Sequence, residues 1–105
     1  MKMSPVKTRI AWTPEHVDQL LALYFAFLAN QQTGTAYQKA ASVRELAAKQ
    51  GRSKGSVEAK MMNVSAVLDQ QGREWVQGYK PLSNFNGALQ QQVMDYIAKG
   101  EGAAA

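Results

Sequence analysis

Eight polar side chains between residues 44 and 63 hold the chemistry that this sequence offers: Arg44, Lys49, Arg52, Ser53, Lys54, Ser56, Lys60 and Asn63. Cations so closely spaced suit phosphates, and hydroxyl and amide groups among them suit the edges of bases. This is binding chemistry, and the groups that catalysis needs are missing or scattered. His16 is a lone histidine and the chain has no cysteine, so thiolate metal sites and disulfides are excluded. Glu45, Glu58, Asp69 and Glu74 are dispersed among basic neighbours and form no paired general acid and base. The segment Gly51-Arg52-Ser53-Lys54-Gly55 does not have the spacing of a phosphate-cradling loop. The expectation is a protein with no enzymatic activity, no metal and no cofactor.

The polar set must be positioned by the stretch from Ser42 to Leu68. Val43, Leu46 and Ala47 stand at helical spacing, Gly51 can close that helix in the left-handed conformation, and Ser53 can cap the next. Val57, Met61, Val64 and Leu68 then recur four, three and four residues apart. This pattern predicts a helix-turn-helix, with a recognition helix over about residues 54–70. At 100° per residue, its buried stripe is Val57, Met61, Val64 and Leu68, and its opposite face is Gly55, Ser56, Ala59, Met62, Asn63 and Ala66. Small residues there permit close approach to a groove, and Lys60 flanks them.

Charge is concentrated on the same stretch. The formal net charge of the 105 residues is +4, and residues 39–60 carry six cations against Glu45 and Glu58. The remaining residues carry six of each sign, so the whole excess lies on the predicted helix-turn-helix, as a phosphate-facing surface requires. A solvated lysine-rich helix face would show the same excess.

The rest of the chain reads as a single domain, large enough to bury about 65% of its unfolded surface. Residues 1–11, with Lys2, Lys7, Arg9 and Pro5, show no apolar period and predict an extended basic arm. Thr13 and Pro14 start a core helix to about Asn30, whose residues Val17, Leu20, Leu21, Tyr24, Phe25, Phe27 and Leu28 cover more than half its circumference. Such a helix needs several neighbours, and a homodimer face is the alternative. Trp75, Val76 and Tyr79 suggest a lid over the core. Ser83 or Asn84 can cap a last helix over about residues 85–99, with Phe85, Leu89, Val93, Tyr96 and Ile97 docking on the first. Residues 12–99 are the expected helical domain, and 100–105 a disordered tail. The fold class is all-α, a small bundle of about four helices. The longest apolar run, Leu20 to Ala29, is ten residues, about half of the ~20 that a membrane helix needs, so no membrane association is expected. The lack of cysteine fits a reducing compartment, and the expected location is the cytoplasm.

Three segments carry a resemblance: Gly51 to Lys60 (GRSKGSVEAK), Asn63 to Val67 (NVSAV) and Gly78 to Asn84 (GYKPLSN). With Trp12-Thr13 and Leu23-Tyr24, they resemble the helical N-terminal module found ahead of the nuclease domain in some HNH-type restriction endonucleases and related phage and plasmid proteins. The likeness spans about Trp12 to Val93, and Gly51 to Lys60 is also similar to the turn of helix-turn-helix segments in many DNA-processing proteins. It implies a DNA-targeting module with Arg52, Ser53, Lys54, Ser56, Lys60 and Asn63 facing the DNA. The nuclease half has no counterpart here, because an HNH site needs at least two histidines and this chain has His16 alone.

The sequence thus predicts a binder of double-stranded DNA, either a small transcription regulator or a targeting module of phage or mobile-element type, with Asn63 and Ser56 reading base edges. The alternative is a protein-binding module, such as a phage or plasmid inhibitor of a host enzyme, with Met62, Trp75 and Tyr79 as its hot spot if they are exposed.

Overall fold

The computed structural model describes residues 11–104 as four helices: α1 Pro14–Thr33, α2 Lys39–Gln50, α3 Lys54–Gln70 and α4 Gly87–Ala104, with no strand among them. Residues 1–10 of the expected basic arm lie outside the described residues.

Local chemistry sets the ends of the helices. The Thr13 hydroxyl accepts from the His16 amide at 3.1 Å, and Pro14 takes the first turn of α1. The Ser53 hydroxyl accepts from the Ser56 amide at 3.1 Å and opens α3 in the same way. Between α2 and α3, Gly51 sits at φ 71°, and its amide reaches the carbonyls of Ala47 and Ala48. The left-handed conformation there disfavours any residue with a Cβ. Three boundaries differ from expectation, the first being the end of α1, which runs to Thr33 instead of about Asn30 and closes on Gly34 at φ 74°. The cap of α4 is Asn86, whose Oδ1 accepts from the Leu89 amide at 3.0 Å, so the helix starts after Ser83 and Asn84 rather than on them. At its other end α4 continues to Ala104 instead of stopping near Lys99, because glutamate and alanine are good helix formers that carry it past two glycines.

α1 is the central helix. Leu20, Leu21 and Tyr24 are fully buried, with Val17, Phe27 and Leu28 nearly so, and α2, α3 and α4 all pack on it. The wide apolar circumference is therefore covered within the chain. Phe25, on its remaining side, stacks on Tyr96 of α4 at 5.3 Å between ring centres. The core continues through Val43, Leu46 and Ala47 of α2, Val57, Met61, Val64, Val67 and Leu68 of α3, and Leu89, Val93 and Ile97 of α4.

The segment between α3 and α4 closes the core, as a lid should. Val76 is fully buried and Tyr79 almost so, the latter stacked on Phe27. One polar link crosses the interior: the Tyr24 hydroxyl lies 2.7 Å from the Ser65 hydroxyl and accepts from the Val76 amide at 3.0 Å. The phenol can donate to Ser65 while accepting from Val76, so a buried tyrosine ties α1 to both α3 and the lid. Burial raises its pKa above the ordinary tyrosine value. Gln31 adds a second tie from the end of α1, donating to Glu74 and the Trp75 carbonyl and accepting from the Gln77 amide. Hydrogen bonds from Gln31 and Gln32 hold the Glu74 carboxyl below the usual carboxylate range. The start of α2 is fastened to the lid by Lys39, which donates to the Gln77 carbonyl and stands 4.9 Å from the centre of the Tyr79 ring.

Candidate nucleic-acid interface

The turn between α2 and α3 is built against the start of α1. Gln50, the last residue of α2, is buried, and its amide nitrogen donates to the His16 carbonyl at 3.1 Å and to Gln19 Oε1 at 2.9 Å. Its own oxygen accepts from Arg52 Nε at 2.8 Å. Arg52 Nη2 then reaches the Ala11 carbonyl at 3.2 Å and His16 Nδ1 at 2.7 Å, and the guanidinium lies 3.6 Å from the centre of the Trp12 ring. A guanidinium can only donate, so in this contact His16 Nδ1 accepts and the ring proton sits on Nε2. Arg52 is thus a staple across three segments, and its placement next to Trp12 combines charge with stacking.

Lys60 comes to the same ring. Its Nζ stands 5.3 Å from the Trp12 centre, about two turns along α3 from the cap at Ser53. Two cations therefore converge on one half-buried indole. Burial, and then the charge of Arg52, lower the pKa of the Lys60 ammonium. Burial also lowers that of Arg52. Beside them the first turn of α3 is open: Ser53, Lys54 and Gly55 are exposed and Ser56 is half-buried. Lys54 pairs with Glu58 at 3.5 Å, an exposed contact of little energetic weight.

Of the eight residues singled out in the sequence, five gather here: Arg52, Ser53, Lys54, Ser56 and Lys60. Three do not. Lys49 lines a shallow groove between α1 and α2 together with Gln19, Leu23, Ala26, Glu45 and Leu46. Arg44 is exposed about 140° from Lys49 around α2. Asn63 requires a correction. It is only 7% exposed, and its amide donates to the Leu82 carbonyl at 2.6 Å and to Asn84 Oδ1 at 3.1 Å. Its donors hold the chain to itself and do not face a base. Ala66, which the helical wheel also placed outward, is 2% exposed. The segment 80–84 crosses the outward face of α3 at Asn63, with the Leu82 amide bound to the Met62 carbonyl at 3.0 Å, and α4 also packs on α3.

The alternative apolar hot spot is not assembled either. Tyr79 is buried, while Met62 and Trp75 are half-buried, with the Trp75 indole donating to Asp69 at 3.3 Å. Sequence reasoning missed Gln50 and Trp12 as parts of the site. Gln50 had a signal, since it continues the spacing of Val43, Leu46 and Ala47 and a polar side chain on such a stripe needs buried partners. Among the described residues no group of three histidines, aspartates or glutamates is close enough to hold a metal ion, and no helix is long and apolar enough to cross a membrane. Comparison with protein-family models, curated proteins and solved structures finds no match to this chain.

Proposed function

We propose that the chain is a non-enzymatic DNA-binding protein, a small regulator or targeting module of phage or mobile-element type. In this reading α2, the turn 51–53 and α3 form a helix-turn-helix that presents the first two turns of α3 to duplex DNA. The observation that carries it is the convergence of Arg52 and Lys60 on Trp12 beside the open start of α3. Burial, and then the charge of Arg52, disfavour the Lys60 ammonium in the fold, and a phosphate oxygen arriving between the two cations offsets both penalties. Lys54 and Gly55, exposed in the first turn of α3, place their amides at the positive end of the helix dipole, which favours the same anion. The exposed Lys54 side chain extends the cationic surface, and the sequence likeness to DNA-targeting modules points the same way.

Fluorescence anisotropy of a labelled random duplex, titrated at two salt concentrations, tests the reading. Binding at micromolar level that weakens with salt, with a log–log slope near −4 for about four neutralised phosphates, is the expected result. The Lys54→Gln, Lys60→Gln double variant should bind more weakly and lower the magnitude of the slope by about two. Arg52 is unsuitable for this test because its loss would also release Ala11, His16 and Gln50. An absence of binding at low salt would overturn the proposal.

A further inference from the structure

The outward face of α3 is shared between two segments of chain. Its first turn is open, its second is half-buried where it faces outward, and its third is crossed by residues 80–84. A partner lying against the open half must therefore also meet this strap. Both backbone polar groups of Leu82 are fastened to α3, the amide to the Met62 carbonyl and the carbonyl to the Asn63 side chain. With its backbone clamped on both sides, Leu82 directs its side chain outward. It is 38% exposed and is the large hydrophobic residue left open among those described. Lys80, Ser83 and Asn84 around it are also exposed. The exposed part of Leu82 gives the isolated chain no apolar burial, and holding it in place lowers the ordering cost of any contact that it later makes.

We propose that the strap is the second half of the DNA interface, with Leu82 against an apolar base edge such as a thymine methyl and Lys80 on an adjacent phosphate. The inference rests on the reading of the chain as a DNA-binding protein. Duplex DNA is the occupant that the charge favours, because Lys80 is exposed on the strap bound to α3, the helix that carries Lys54 and Lys60. A thymine methyl suits Leu82 because it is an apolar group displayed in the major groove. Asn63 then serves recognition by holding Leu82 in place, as a positioning residue.

Two variants test the strap separately from the α3 surface. Lys80→Gln should weaken binding to random duplex and reduce the magnitude of the salt slope by about one. Leu82→Ser keeps the backbone bonds. On a site selected from a randomised pool it should lower affinity roughly fivefold and flatten the preference at one thymine, with the salt slope unchanged. Thermal melting of both variants close to that of the parent chain would confirm that the effects are on binding. If Lys54→Gln, Lys60→Gln impairs binding while both strap variants bind as the parent does, the strap lies outside the interface and this inference fails alone. If the parent chain binds no duplex, the functional reading fails and this inference with it.

Discussion

Asn63 and Lys60 illustrate how one residue type can be read two ways until its surroundings are known. An asparagine three residues beyond a lysine, on the polar side of a helix, suits adenine recognition. In the fold its amide is a clamp on Leu82 and Asn84. Asn63→Ala should therefore lower the free energy of unfolding by about 1 to 3 kcal/mol, since two hydrogen bonds disappear and nothing of similar shape replaces them. Urea denaturation measures that loss. Its effect on DNA binding should follow the loosening of the strap, and a variant as stable as the parent would remove the clamp from the account. Lys60 should behave in the opposite sense. Its ammonium is penalised by burial and by Arg52, so Lys60→Met should melt at the same temperature as the parent or higher. The same substitution should weaken binding to random duplex and lower the salt slope by about one. A residue whose removal leaves the fold intact or improves it, yet impairs binding, is held for function at the expense of stability. If Lys60→Met lowers the melting temperature and leaves binding unchanged, Lys60 is a packing residue.

At the scale of elements, what was legible in the sequence was whatever depends on near neighbours. Thr13, Gly51 and Ser53 announce helix ends through bonds that span three or four residues, and Val57, Met61, Val64 and Leu68 announce a buried stripe through their period. The four helices follow from such signals. The covering of α3 does not, because it depends on where residues 80–84 return after a loop, and no local period records that. Charge density located the turn for a similar reason: Arg52, Lys54 and Lys60 are close in sequence, whereas the ring on which two of them converge, Trp12, is some forty residues away. Gln50 lies between these cases. Its position on the α2 stripe is visible, but its partners His16, Gln19 and Arg52 belong to α1 and the turn. A pattern argument alone would favour Gln50→Leu. The contacts predict instead a destabilisation of about 1 to 3 kcal/mol, because the Arg52 Nε and the α1 acceptors lose their buried partner. Thermal or chemical unfolding distinguishes the two, and a gain in stability would mean that burial of an apolar side chain outweighs the polar joint.

For the whole molecule, closure of the bundle depends on a lid whose aromatic anchor can ionise. Burial, and then the charge of Glu58, push the Tyr79 pKa from 10.0 up to about 12. In the unfolded chain this phenol ionises near its ordinary value, so between about pH 10 and pH 12 unfolding releases a proton that the folded state retains. The stabilisation is complete below pH 10 and is lost as the pH rises through that window, by at most about 1.4 kcal/mol per pH unit for one linked proton. Tyr24, whose pKa burial also raises, acts in the same direction. Lys60 acts in the other, because its ammonium is disfavoured in the fold and its cost falls away as the pH approaches the ordinary lysine value of 10.5. The Tyr79 contribution is isolated by comparing the parent with Tyr79→Phe, which keeps the ring stacked on Phe27 and beneath Lys39. The parent's melting temperature should fall more steeply than the variant's above pH 10, and the two curves should converge on the acid side of the window apart from a constant offset. Parallel curves from pH 9 to pH 12 would show that the Tyr79 hydroxyl is hydrated in the folded protein, and that the lid is not sealed over the core at that point.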